Sequence, residues 1–398
     1  MIPHISRVVI KNYKSIGKAV VDMRPFLIFV GPNGSGKSNL FDSLEFVKDS
    51  LTTSVESALS LRGGLAAVRR NSISHPTDIT IGAKILLDGE SEAVYQFTIK
   101  SKKGELYRIL YEKCSIRKGL DEYEEGFEIA NGEFIKEISG LRPAILSDRL
   151  ALPVASSIEP YRTVYNFLTS MRFYSLAPQE LKKLQEADAG KYLEKDGHNA
   201  AAVLKRLLYE SERGGDDDSG YMQVCRLLSK VVKGIQEVSR KSLGKYETIT
   251  FKQNVGSTDP WNFDALSMSD GTLRVLGILL ACFQPGIHSV IAMEEPEATV
   301  HPAVAELLVE VLKSTSEEKQ VLLTTHSPEI LDYKNLQQDD VMSVSSDRNN
   351  TIIAPLSEAN KRAVREKLFS LGDLHRSGEL APDMDLWQKN QQTKLPLI

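Results

Sequence analysis

A chain of 398 residues, 41% hydrophobic and 26% charged, has material for one large α/β domain or two smaller lobes, with the composition of an ordinary soluble protein. The formal net charge of −4 and a pI near 6.1 exclude a global basic field that would hold nucleic acid, so any DNA contact needs a local basic patch. Cys114, Cys225 and Cys282 lie far apart without CxxC or Cys/His spacing, which predicts reduced thiols and neither a disulfide framework nor a zinc site. The N-terminus lacks a basic stretch followed by an apolar run, and the longest strongly apolar stretch, 277–283, is far short of the roughly 20 residues a membrane span requires. The expectation is a cytoplasmic protein with no membrane contact.

In chain order, residues 5–10 and 26–30 read as strands rich in β-branched and aromatic residues. The glycine loop GPNGSGKS follows the second, and residues 39–51 then carry Leu40, Phe41, Leu44 and Val47 at helical spacing. Residues 79–87, 93–100, 106–116 and 127–129 read as successive strands, an antiparallel β insert over 79–140, with turns at Asp88-Gly89 and Lys103-Gly104. From 160 to 245 the pattern is helical, with Val203, Leu204, Leu207 and Leu208 on one helix and Val224, Leu227, Leu228 and Val231 on another. Between these helices RGGDDDSG reads as a solvated flexible loop. The core resumes over 246–356, with strands at 248–251, 290–293 and 320–323 and a helix over 271–283. Residues 357–398 complete the chain as one helix and a polar tail.

Four motifs carry chemistry. In the glycine loop, Gly31 and Gly36 leave backbone N–H groups free to wrap phosphate oxygens, Lys37 brings a point charge for the β- and γ-phosphates, and Ser38 offers a hydroxyl to Mg²⁺. The N-terminus of the following helix adds a favourable dipole. The strand in SVIAMEEPEATVHP delivers Glu294 and Glu295 at its carboxyl end; adjacent carboxylates on a strand point to opposite faces, so one serves the metal and the other orients or deprotonates water. Ser269, Asp270 and Gly271 open an apolar helix, which suits either an anion or a plain N-cap. The strand in VLLTTHSP ends at Thr325-His326-Ser327, in the right order along the chain for His326 to sense a γ-phosphate.

NYKS near the start, GPNGSGKSNL, RGGLAAV, SDGTLR, EEPEATVHP and TTHSP occur together over about residues 5–380. In this the chain resembles the ABC-type ATPases, more narrowly the branch of RecF and the SMC proteins, and within it the stand-alone bacterial ATPases of the "AAA family, ABC-like" type. The resemblance implies an α/β fold: a P-loop ABC-ATPase head with a mixed β-sheet lobe, the antiparallel β insert and a helical subdomain, all one ATPase domain over 1–398. It also implies ATP and Mg²⁺, with Gly31, Asn33, Gly34, Gly36, Lys37, Ser38 and Asn39 as the Walker A loop. Glu294 stands where many relatives carry the Walker B aspartate, Glu295 is the catalytic carboxylate, and His326 is the switch histidine. Ser269 and Gly271 reach the γ-phosphate of a partner copy, so the site is split across a nucleotide-driven homodimer. The sequence departs from the broad pattern in Asp270, a negative charge inside the signature, and in Glu294, one methylene longer than aspartate. Gln179 is a candidate Q-loop glutamine, and Lys14 and Ser15 are candidates to border the nucleotide.

Three uses compete. A transporter motor is disfavoured by the long stretch 39–268 with its β-rich start. A DNA-repair ATPase of RecF type needs coiled coils, which are absent, or a basic groove; Arg69-Arg70, Lys100/Lys102/Lys103 and Arg240-Lys241 are the available clusters. A sensor or regulatory ATPase of bacterial antiphage defence, as stand-alone members of this family often are, is the preferred expectation. Some relatives carry a C-terminal TOPRIM nuclease, and the roughly 70 residues after His326 are too few for one. The nuclease or toxin is therefore expected to be a separate protein.

Overall fold

The computed structural model describes residues 2–71, 78–87, 89–102, 105–119, 124–214, 219–256, 259–286 and 288–392. The turn residue Asp88, the Lys103-Gly104 turn, the acidic triplet Asp216–Asp218 and the end of the polar tail lie outside them. Contacts divide the chain into two compact units. The first holds Met1–Arg172, His288–Ala292 and Ser316–Ile398, and the second Phe173–Ile287 and Met293–Thr315.

The first unit contains the strand Phe26–Val30, buried at every position as a strand covered on both faces must be. It pairs in parallel with Gln320–Thr325 on one side and Val341–Asp347 on the other. The sheet continues outward to Asn350–Pro355, antiparallel, and to Val290–Glu294 beyond Gln320–Thr325. The helix Lys37–Thr52 buries Leu40, Phe41, Leu44 and Val47, the residues whose spacing predicts it.

The strands read as an insert belong to a larger sheet. Seven antiparallel strands run in the order Ile16–Asp22, His4–Tyr13, Asp78–Leu86, Ser91–Lys102, Glu105–Lys118, Glu124–Ala130 and Glu133–Lys136. The register His4↔Leu86 to Lys11↔Thr80 makes the N-terminal hairpin the foundation of the later strands. Gln320, fully buried, ties this sheet to the parallel one: its amide oxygen accepts from Ile5 N at 3.0 Å, and its amide nitrogen donates to Ile5 O and Arg24 O, each at 2.9 Å. The C-terminal part forms three helices, Glu358–Arg365, Leu371–Arg376 and Met384–Gln392, where one is expected; Ser357 and Ser370 cap the first two and separate them.

The second unit contains the helices Ala200–Gly214 and Gly220–Val231, the signature helix Asp270–Phe283, and the helix Pro302–Thr315. Ile235–Leu243, in the stretch read as helical, is a strand pairing antiparallel with Tyr246–Gln253. The spacing of Ile235 and Val238 imitates a helical turn, but a β-bulge between Ile235 and Glu237 is what puts both on the buried face.

Candidate functional site

In the first unit the glycine loop leaves the carboxyl end of Phe26–Val30 and turns into the helix Lys37–Thr52. Its shape depends on glycine at particular positions. Gly34 and Gly36 have φ of 76° and 104°, in the left-handed region that other residues enter at a cost. A Cβ on Gly31 would lie 1.9 Å from Val344 O, and one on Gly36 would lie 2.1 Å from Thr351 Oγ1. Lys37 is only 6% exposed, and its ammonium donates to Gly31 O at 2.6 Å and Pro32 O at 3.1 Å, so the charge is held over the loop. Ser35, 2% exposed, has a hydroxyl with no hydrogen-bond partner among the described residues. Asn33, Gly34 and Ser38 are exposed.

Asn39 donates to Ser15 Oγ at 2.6 Å, and Ser15 Oγ shares a hydrogen bond of 2.6 Å with Thr351 Oγ1. Ser15 thus braces the loop through Asn39 and the strand Asn350–Pro355, a contact that the sequence does not announce because Thr351 lies 336 residues away. Lys14 points to a different partner, Asp42, at 2.6 Å. Asp42 also accepts from Tyr13 Oη at 2.7 Å and Arg62 Nε at 2.8 Å, and Arg62 reaches Asp49 at 2.9 Å. Burial works against the Asp42 charge, yet the bonds from Lys14 and Tyr13 and the Arg62 guanidinium hold its carboxyl below the usual range. The RGG segment is in this way clamped to the helix that follows the loop.

His326 sits beside the loop by register. Thr325 pairs with Val30, so His326 and Gly31 are the first residues beyond the carboxyl ends of adjacent parallel strands. This is the edge where α/β sheets gather their ligands. His375, on the helix Leu371–Arg376, donates from Nε2 to His326 O at 2.9 Å. That helix is itself fixed to Asp332 by Gly372 N at 3.1 Å and Arg376 at 2.7 Å. Nothing in the local pattern around His375 marks it as a support for His326.

In the second unit the signature begins as a capped helix. Ser269 is exposed, and its Oγ accepts from Thr272 N at 3.1 Å. A Cβ on Gly271 would lie 2.8 Å from Thr299 O, so glycine here lets the helix start approach the turn that follows Glu294 and Glu295. Both Glu295 and Thr299 have positive φ, 45° and 67°. The strand ends at Glu294, so the expected strand alternation of the two carboxylates does not extend to Glu295, whose direction is set by a left-handed backbone. Arg274, one turn into the signature helix, feels the charges of Glu297 and Glu295, although burial lowers its pKa overall. Gln179 donates to Asp270 Oδ2 at 3.2 Å, and Lys182 pairs with Asp270 Oδ1 at 2.6 Å. The extra negative charge of this signature therefore has a counter-ion in the same unit.

Among the described residues no helix is long and apolar enough to cross a membrane. The Old nuclease of Escherichia phage P2 is 22% identical over 402 residues, covering 93% of this chain and 63% of the relative, so the chain spans under two thirds of that protein's length. The Smc head bound to the C-winged helix domain of ScpA matches with a TM-score of 0.57 at 15% identity, covering 91% of this chain and 99% of that one. The Smc head domain with an extended coiled coil bound to the C-terminal domain of ScpA, from Pyrococcus furiosus, matches at 0.55 and 12%, covering 92% and 100%. At these identities the likeness shows the fold, an ABC- and SMC-type ATPase head. A family profile described as "AAA domain, putative AbiEii toxin, Type IV TA system" matches residues 26–332, well over half of the chain. The chain belongs to that family, and its fold is that of the ABC- and SMC-type ATPase heads.

Proposed function

We propose that the chain hydrolyses ATP, with Mg²⁺, at composite sites formed when nucleotide joins two copies, and that it acts as a sensor or regulatory ATPase in bacterial antiphage defence with a separately encoded effector. The observation that carries the nucleotide part is the loop 31–38. Left-handed glycines, a buried lysine turned over the loop, and a buried Ser35 hydroxyl without a partner among the described residues together fit a triphosphate. Gly31, Asn33, Gly34, Gly36, Lys37 and Asn39 bind and orient it.

Mg²⁺, when bound, neutralises charge developing across the β- and γ-phosphates. Ser38 and Glu294 would hold this metal, offering oxygen ligands of the kind that it takes in ones and twos. Glu295 orients the attacking water and accepts its proton, and His326 senses the γ-phosphate. Ser269 and Gly271 act on the nucleotide of the partner copy, which couples turnover to assembly.

The defence role is supported by the Old nuclease relative, whose name carries a nuclease activity, and by the toxin named in the family description. In this reading another polypeptide supplies the destructive activity. The repair reading has weaker support, since Arg240 pairs with the buried Glu247 at 3.5 Å and Lys241 lies 3.7 Å from Asp264 at the surface, so both basic side chains already have carboxylate partners.

The test is steady-state ATP hydrolysis with and without Mg²⁺ and duplex DNA, at low and near-physiological salt, followed by co-purification with products of neighbouring genes. Mg²⁺-dependent turnover indifferent to DNA, together with a co-purifying nuclease or toxin, supports the proposal. Stimulation by DNA that fades with salt moves the role to the repair type. Absence of turnover removes the enzymatic reading.

A further inference from the structure

Asp270 sets this signature apart, because a carboxylate at the first position of the signature helix competes with any phosphate for the same helix dipole and free N–H groups. The structure answers that competition with a second element. The short helix Pro178–Lys182 lies against the signature helix through apolar contact: a Cβ on Gly277 would meet Leu176 Cδ1 at 3.0 Å and Leu181 Cδ2 at 3.6 Å. Leu181 is fully buried, so its neighbour Lys182 is delivered to one place. That place is Asp270, with Nζ 2.6 Å from Oδ1 while the lysine side chain is only 20% exposed. Gln179, on the same short helix, closes on the other oxygen at 3.2 Å. Ser269 remains exposed and capping.

We infer that Lys182 is a positioning residue of the composite site: it cancels the charge of Asp270 and holds the carboxylate aside, so that the start of the signature helix can face the γ-phosphate of the partner copy. The signature of this chain is therefore a two-part device, SDG from one helix and Lys182 from another. This rests on the ATPase reading above and adds a residue that the motifs do not contain. Gln179, a candidate Q-loop glutamine on sequence, is assigned to the same device.

The arithmetic of charge sets the expected effect. A carboxylate within several ångströms of a phosphate at an effective dielectric near 20 costs enough to slow a reaction about tenfold or more once its counter-ion is gone. The experiment compares wild type, Lys182→Ala, Lys182→Arg and Lys182→Ala/Asp270→Asn for kcat, KM and binding of a fluorescent ATP analogue, with thermal melting as a folding control. Lys182→Ala is expected to bind the analogue normally, because the Walker A loop is untouched, and to lose about tenfold or more in kcat. Lys182→Arg and the double variant are expected to return to within about threefold of wild type, and added salt partly restores Lys182→Ala by screening Asp270. A double variant as slow as Lys182→Ala overturns the inference, since the lysine would then act other than through Asp270. Unchanged kcat in Lys182→Ala overturns it as well. A wild-type chain without ATP turnover removes the functional reading itself, an outcome distinct from active wild type that ignores Lys182.

Discussion

Gly36→Ala separates two causes by which the glycine loop keeps its shape. At φ 104° an alanine bears the left-handed penalty of about 1–2 kcal/mol. Its Cβ would also lie 2.1 Å from Thr351 Oγ1 and 2.8 Å from Cγ2, an overlap that costs a further 1–3 kcal/mol or so to relieve. Together these amount to about 2–5 kcal/mol, which predicts a loss of nucleotide affinity of roughly 30-fold or more if the loop must regain its shape to bind. Thr351→Ala deletes both overlapping atoms. Thr351→Ala alone carries the loss of the Ser15 brace, so relative to it the double variant keeps the backbone cost and a 3.0 Å approach to Ser15 Oγ, a deficit of about 5- to 30-fold. The assay is titration of a fluorescent ATP analogue against the four proteins of the cycle. A Gly36→Ala deficit just as large in the Thr351→Ala background as in wild type, or a Gly36→Ala protein that binds like wild type, refutes the idea that the strand Asn350–Pro355 shapes the loop by contact.

Other predictions follow from the same geometry. Lys37→Ala should reduce ATP binding to background in the same titration, because it removes the ammonium held at 2.6 Å over the loop. Ser269→Arg should leave binding to the Walker A loop intact and cut hydrolysis to background in a phosphate-release assay, since an arginine fills the space before the signature helix. Glu295→Gln should bind ATP, fail to cleave it and accumulate a dimer on size exclusion. Glu112 should give the first unit a pH-dependent stability. Burial raises its carboxyl from 4.5 to about 7, despite bonds from Ala151 N at 2.5 Å, Leu152 N at 3.0 Å and the Tyr95 hydroxyl at 3.0 Å. The folded state holds that proton more tightly than the unfolded chain, so the contribution is full below pH 4.5 and is lost as pH rises through about 7, a total of about 3 kcal/mol. Urea unfolding of wild type and Glu112→Gln at several pH values should show wild type losing stability relative to the variant as pH rises over that window; a flat difference contradicts it.

The nucleotide loop was legible because its determinants are local. An apolar strand, glycines at fixed positions and a helix with Leu40, Phe41, Leu44 and Val47 on one face are written within 26 consecutive residues of the chain, Phe26 to Leu51. The Ser269 cap was legible for the same reason. What escaped depends on distant partners or on backbone shape. The pairing of His4–Tyr13 with Asp78–Leu86 joins the N-terminal hairpin and the antiparallel strands that follow residue 78 into one sheet, and periodicity does not report which strand a strand will choose. Ile235 and Val238 imitate a helix because a bulge changes the strand's period. The positive φ of Glu295 removes it from the alternation that its neighbours obey. Lys182 and His375 act on motif residues 88 and 49 positions away, where no motif scan looks. Tertiary packing chose these partners, and local propensity had no part in it.

Complementation decides whether each ATP site is shared between two copies. Lys37→Ala and Ser269→Arg proteins are assayed for ATP hydrolysis separately and then as an equimolar mixture. Each alone should be inactive, one lacking the loop's charge and the other the signature. In a mixed dimer one of the two sites combines an intact loop with an intact signature, so random pairing predicts recovery of up to about a quarter of wild-type turnover. Appreciable turnover by Ser269→Arg alone, or a mixture as inactive as its components, would contradict a site shared between two copies.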